Sequence, residues 1–173
     1  MRLFRYLLHG LAEAEARLGS GKGGWFRKLE LRSLGVKHGQ QWHIAQGLTI
    51  WHRGGVVFGN RVSLGPRTTI MNFAHVEIGD DFLGAGWLMI NSGGHDALTL
   101  SPQAAPVVIG KRVWAGVGVT ILSGVRIGND AVIGAGSLVR EDVPEGAVVA
   151  GVPARILRIQ DRGGREIWSG FPK

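Results

Sequence analysis

Apolar residues recur every six positions from Val107 to Val139. Ile109, Ala115, Ile121, Ile127, Ile133 and Val139 form one row, and Val107, Val113, Val119, Val125, Ala131 and Ser137 stand two residues before its members. Glycine follows the first row at 110, 116, 128 and 134. A period of six fits neither an amphipathic helix nor a simple alternating strand. It marks a structural repeat, with a short strand and a two-residue corner in each unit. Three units close a triangular coil of about 18 residues, and coils stacked edge to edge bury one continuous core. The paired pattern runs upstream through Trp42/Ile44, Leu48/Ile50, Val56/Phe58, Val62/Leu64, Thr68/Ile70, Val76/Ile78, Phe82/Gly84 and Leu88/Ile90. About fourteen units predict an all-β solenoid of about five triangular coils, roughly 24 Å tall at ~4.8 Å per strand.

The pattern is informative where it fails. Its step lengthens to eight at 50→58 and 70→78, which predicts bulged corners. Between Ile90 and Ile109 it lengthens to 19, so thirteen residues are inserted. That predicts a loop at 91–106 thrown out from the scaffold, where functional residues tend to lie. Residues 36–154 read as the solenoid. Before it, Leu3, Phe4, Leu7, Leu8, Leu11, Ala14 and Leu18 share one face at helical spacing. They predict an amphipathic helix over 2–18, closed by Gly19-Ser20-Gly21, within an N-terminal helical segment 1–35. Its apolar face is expected to pack on the domain or a neighbouring subunit, with peripheral contact to a membrane surface as the alternative. A second short helix is expected over Trp25–Leu34, ending at Gly35. Residues 155–173 are expected to form a cap and tail that includes a short capping helix. The N-terminal helix and the segment Val152–Gln160 would then cover the open ends of the stack.

Composition narrows the function. Glycine supplies 29 of 173 residues, consistent with many tight corners. Cysteine is absent, which removes disulfides, thiolate metal sites and a cysteine nucleophile. No apolar stretch approaches the ~18 residues of a membrane span. The N-terminus lacks the continuous apolar region of a secretory signal, so a cytoplasmic location is the expectation. The net charge of +7 is uneven. Residues 1–35 carry seven Lys/Arg against three Glu, residues 36–154 eight of each sign, and residues 155–173 five basic against two acidic. A neutral body with basic ends offers no basic stripe interleaved with aromatics, which argues against nucleic acid. It fits an anionic cofactor or the anionic inner face of a membrane.

The stretch VVIGKRVWAGVGVTILSGVRIGNDAVIGAGSLVREDVPEGAVVAGVPARILR, Val107–Arg158, closely resembles the hexapeptide-repeat acyltransferases. Within them it looks most like the maltose/galactoside and polysaccharide O-acetyltransferase branch. The resemblance is recognisable from about residue 56 and implies a left-handed parallel β-helix. It implies acetyl-CoA as acyl donor, a saccharide hydroxyl as acceptor, and a homotrimer with active sites between subunits. His95, in Ser92-Gly93-Gly94-His95-Asp96, corresponds to the family's general base, a role that suits an imidazole largely neutral near pH 7. Asn72, one coil earlier, corresponds to a residue that holds the acceptor, and Trp114 to one that borders the acyl site. Ala115, Gly116, Ala135 and Gly136 correspond to the wall along which pantetheine lies. Arg140, Arg155 and Arg158 match basic positions suited to CoA phosphates. No metal is expected.

Other readings stay open at this point. His38-x4-His43 resembles half of the three-histidine zinc pattern of γ-carbonic-anhydrase-like β-helices, but it precedes the regular repeats. A non-catalytic scaffold, an amino-sugar N-acetyltransferase and a serine-acetyltransferase-like enzyme share the same repeat.

Overall fold

The computed structural model describes residues 2–18 and 24–160. The expected closure of the first helix at Gly19-Ser20-Gly21 lies outside these, as does the tail beyond residue 160. Two helices, α1 (Arg2–Leu18) and α2 (Trp25–Ser33), precede the repeats. The first coil holds β1 (Lys37–His38), β2 (His43–Ile44) and β3 (Thr49–Ile50); the second β4 (Val56–Phe58), β5 (Ser63–Leu64) and β6 (Thr69–Met71). The third holds β7 (Val76–Ile78), β8 (Leu83–Gly84) and β9 (Met89–Asn91), and the insert follows as β10 (Gly93–His95) and β11 (Pro102–Ala104). The fourth coil holds β12 (Val107–Ile109), β13 (Trp114–Ala115) and β14 (Thr120–Ile121), the fifth β15 (Arg126–Ile127), β16 (Val132–Ile133) and β17 (Leu138–Val139). The chain ends in β18 (Ala147–Gly151) and β19 (Ala154–Ile159).

Strands one coil apart pair in parallel and build three faces. Face I runs β1-β4-β7-β12-β15, face II β2-β5-β8-β13-β16-β18-β19, and face III β3-β6-β9-β14-β17. A bridge from Ile127 to Val143 and the strand β18 begin a sixth coil, so five coils are complete and a sixth is partial. The six-residue rows are the inward positions. Phe58, Ile78, Ile109, Ile127 and Val143 stack on face I; Ile50, Ile70, Ile90, Ile121 and Val139 stack on face III, and all are buried. Two polar residues of the rows, Thr68 and Ser137, are buried and donate their hydroxyls to Gly65 O (2.9 Å) and Gly134 O (2.6 Å). That satisfies groups which would otherwise be costly inside an apolar core.

Corners follow from backbone stereochemistry. Gln41, Arg61, Asp81, Arg112, Asp130 and Gly146 stack at the face I–II corner, all with positive φ. Their side chains form a ladder of opposite charges. Arg61 grips Asp81 in an exposed pair, and Arg112 donates to Asp130 from Nε (2.8 Å) and Nη2 (2.6 Å). The hydrogen bond to Asp130 holds the Arg112 guanidinium above its ordinary value. Asp130 is buried whereas Arg61 is nearly half exposed. Arg112→Met should therefore lower stability by about 2 kcal/mol, since it orphans a buried acceptor. Arg61→Met should cost less than ~1 kcal/mol. Urea unfolding of both variants checks the order.

Within the segment 155–173 expected to include a short capping helix, the described part is strand β19, antiparallel to β18, and the remainder lies outside the described residues. Beyond β16, β18 would leave an open edge on face II, and a returning strand satisfies its backbone groups directly.

Candidate functional site

The insert at 91–106 is an antiparallel hairpin rather than an irregular loop, with Gly93 opposite Ala104 and His95 opposite Pro102. It leaves the scaffold at the corner between faces III and I, and two buried or half-buried serines anchor its base. Ser92 Oγ accepts from Ala74 N (2.8 Å) and donates to Ala74 O (2.9 Å), tying the hairpin to the coil before. Ser123 Oγ accepts from Ala105 N (2.9 Å) and donates to Ser92 O (3.0 Å), tying it to the coil after. Ser123 carries no motif signal of its own. Its role depends on its falling eighteen residues after Ala105, in register with the hairpin's exit.

His95 is exposed at the end of β10, and among the described residues its ring has no hydrogen-bond partner. Its neighbour Asp96 serves the hairpin tip. Asp96 Oδ1 accepts from Leu98 N (3.0 Å), Thr99 N (2.8 Å) and Thr99 Oγ1 (2.9 Å). The Thr99 amide, first among these donors, holds the carboxyl below its usual range. A depressed folded value means that the contact stabilises the tip above the unfolded value and is lost as pH falls through the folded one. Hydrogen exchange at Leu98 and Thr99 should therefore rise relative to Val108 only below the ordinary Asp value of 3.8. A rise already near pH 6 would contradict this.

Asn72 lies at the same corner one coil earlier, buried and fully engaged. Its Oδ1 accepts from His52 N (3.0 Å), and its Nδ2 donates to His52 O (3.0 Å) and Gly54 O (2.8 Å). The geometry gives Asn72 the work of shaping the 51–55 corner. The next residue, Phe73, is half exposed and packs over Gly93, where a Cβ would collide with the ring. Trp51 (5.9 Å between centroids) and His52 (5.0 Å) gather against Phe73. An aromatic surface thus stands beside the hairpin that bears His95. The six-residue pattern hides it, because all three residues fall in a corner outside the rows.

Trp114 points outward from face II, between Leu83 and Val132 on the neighbouring strands, and is 44% exposed. In a triangular prism, face II lies opposite the III–I corner from which the hairpin departs. One chain therefore does not place Trp114 beside His95.

The small residues divide. Ala115 is completely buried in the core, and its carbonyl accepts from Ala85 N, so it cannot contact a ligand and leaves the cofactor-facing set. Gly116 is buried too; a Cβ there would come 2.7 Å from Ala135 N, so glycine permits the close stacking of coils. Ala135 and Gly136 are exposed, and space above Gly136 is open. The face II–III corner changes character along its height. Coils two and three place Arg67 and Trp87 there, with the guanidinium 5.6 Å from the ring centroid, and coils four and five place bare Gly118 and Gly136. A strip of exposed backbone results.

Arg140 and Arg155 flank Glu141 at the C-terminal end, at 3.5 Å and 3.3 Å, around a cleft of about 320 Å³ that also includes Val149 and Ala154. Arg158 is exposed on β19 opposite Val148 and does not line that cleft. Among the described residues no three His, Cys, Asp or Glu side chains gather in a metal-binding set.

Residues 106–141 match the bacterial transferase hexapeptide family (six repeats). The chain is 35% identical over 139 residues to the putative lipopolysaccharide biosynthesis O-acetyl transferase WbbJ of Escherichia coli, covering 71% of each protein. It is 42% identical over 100 residues to the galactoside O-acetyltransferase of Escherichia coli, covering 54% of this chain and 49% of that protein, so it spans about half of that relative. A solved galactoside acetyltransferase in complex with coenzyme A superposes with TM-score 0.74 and 26% identity, over 96% of this chain and 86% of that one. The coil is accordingly a left-handed β-helix.

Proposed function

The chain belongs to the hexapeptide-repeat transferase family and is an acetyl-CoA-dependent acyltransferase; from that premise we propose that it acetylates a hydroxyl of a sugar or polysaccharide precursor. The observation that carries the reading is the hairpin. It breaks an otherwise regular wall, is pinned at its base by Ser92 and Ser123, carries a His95 with no partner among the described residues, and lies with its Gly93 under Phe73 of the aromatic surface that Trp51 and His52 complete. Aromatic faces with a few convergent polar groups suit a sugar ring, which has apolar C–H faces and polar edges.

His95 acts as general base in this mechanism. Its neutral ring nitrogen takes the acceptor hydroxyl proton as the oxygen attacks the thioester carbonyl carbon. The tetrahedral intermediate collapses, the C–S bond breaks, and the proton on His95 passes to the departing sulfur, releasing CoA as a thiol and the acceptor as its acetyl ester. No acyl-enzyme forms. The bare backbone at Gly118, Ala135 and Gly136 suits the pantetheine arm, because absent side chains let a ligand approach main-chain groups. Arg140 and Arg155 suit the phosphates, with Arg158 an outlying cation. Trp114, borne on the face opposite the hairpin's corner, supports a site shared by two subunits of a homotrimer. Asn72 contributes to the acceptor side by shaping the corner beneath Phe73. Acetyl-CoA-dependent thiol release across a panel of sugars, amino sugars and polysaccharide fragments tests the reading. Turnover with hydroxyl acceptors supports it; acetylation confined to amines would move the activity to N-acetyl transfer.

A further inference from the structure

The amphipathic helix α1 packs through only one edge of its apolar stripe, where Leu8 is buried, and leaves Leu3, Phe4 and Leu7 exposed. Leu8 and Ala12 are buried, and a polar network joins α1 to α2. Arg27 donates to Glu13 and Glu30 at 2.6 Å each, and His9 Nδ1 lies 2.6 Å from Glu30. Glu13 also accepts from Gly47 N (2.7 Å), and Glu15 accepts from Arg27 N (3.2 Å). Neither Leu8 nor Ala12 joins the solenoid core, which begins at Leu31. The stripe of Leu3, Phe4, Leu7 and Leu11 is left facing out, with Leu3 83% and Leu7 61% exposed. Trp25 is also exposed at the start of α2.

The charges sort the same way. All three carboxylates of residues 1–35 are held inside the α1–α2 contact, whereas Arg5, Arg17, Lys28 and Arg32 form no ion pair among the described residues. On α2, Trp25, Lys28 and Arg32 share the exposed face, at spacings of three and four. The two helices thus present apolar side chains and cations without an ion pair among the described residues, and keep their anions between them.

We propose that α1 and α2 form a docking surface for an anionic lipid bilayer, with Leu3, Phe4, Leu7 and Leu11 entering the interface and Arg17, Lys28 and Arg32 meeting acidic headgroups. Apolar burial together with cation attraction is how interfacial helices bind. A second copy of this chain is a poorer occupant, because a self-contact would bring the same unpaired cations together. No helix among the described residues is long and apolar enough to cross a membrane, so the surface lies on the bilayer rather than spanning it. The inference stands independently of the acceptor chemistry. If the homotrimer holds, three such surfaces on one assembly bind with avidity.

Co-sedimentation of the full chain with vesicles of phosphatidylcholine alone, and with about 30% phosphatidylglycerol added, tests the proposal. The expected result is binding to the anionic vesicles only, weakened at least tenfold on raising salt from about 0.1 M to about 0.5 M. Leu7→Asp should weaken binding about tenfold or more. The double variant Lys28→Glu, Arg32→Glu, which alters only exposed side chains, should do the same while thiol release with a soluble acceptor stays at the wild-type rate. Wild type remaining in the supernatant with anionic vesicles would overturn the proposal. So would binding unchanged in both variants, or a Leu7→Asp effect explained by a fall in oligomer mass measured by light scattering.

Discussion

His95→Ala should lower acetyl transfer by a factor of about 10³, within the range usual for loss of a general base. That corresponds to about 4 kcal/mol of transition-state stabilisation. The size of the effect follows from what His95 does and does not touch. The residue is exposed at the end of β10, and no neighbour among the described residues shares its ring. Removing the ring breaks no core contact, so the unfolding midpoint should stay within about 1 °C of wild type, as for surface changes away from packed features. Acetyl-CoA binding should persist, because the bare corner at Gly118 and Gly136 is built from other coils. Initial rates of thiol release, calorimetric acetyl-CoA titration and a thermal melt on the same preparation separate these outcomes. A variant that binds donor, melts normally and still turns over would remove His95 from the mechanism.

The largest loss of stability should come from a glycine remote from that chemistry. Gly79 closes face I in the third coil, directly beneath Gly110 of the fourth. A Cβ on Gly79 would stand 2.7 Å from the carbonyl carbon and oxygen of Gly110 and 3.0 Å from Lys111 N. These are backbone atoms on a strand held by the Gly79 N–H to Ile109 O bond (2.9 Å), so they cannot swing aside as a side chain would. Gly59 below stands in the same relation to Gly79 and Asp80. Each glycine of this stack thus lies against the backbone of the coil above it, and a side chain at Gly79 strains the contact with the fourth coil. Gly79→Val should cost about 3 kcal/mol, the upper end of the usual overpacking penalty. For a chain of this size that lowers the melting midpoint by roughly 6–12 °C. Thermal unfolding measures it, and a shift below 2 °C would show that the coils are packed less tightly than described.

The scaffold was legible because its inward positions repeat. Every coil sets the same demand at the same step, so Ile109, Ile121, Ile127 and Ile133 announce their burial together. The same rows already placed Ala115 inside. The resemblance had assigned it to the ligand wall, and the periodicity proved the better guide to where its side chain points. Features set by contact between distant segments were harder to read. Nothing local in Ala154–Ile159 distinguishes a cap helix from a strand; the unpaired edge of β18 decides it. The stripe on α1 correctly predicted a helix, whereas the polar contact that holds it to α2 was not legible, because Glu13, Glu15 and Glu30 converge on Arg27 only in the folded chain. His95 was singled out by the resemblance and by its place in the break of the repeat. Ser123, Phe73 and Trp51 were not, since their roles depend on which residues stack one coil away. Trp114 shows the limit of a single chain: it faces away from the corner that bears the hairpin, and only a neighbouring subunit would bring the two together.

The crystal structure of the protein with acetyl-CoA tests the central claim most directly. The donor should lie between two subunits, its pantetheine along Gly118 and Gly136 and its phosphates beside Arg140 and Arg155. The thioester should come within reach of a His95 imidazole and next to the aromatic surface of Trp51 and Phe73. Donor bound within one chain, or with its thioester at a site that no His95 approaches, would contradict it.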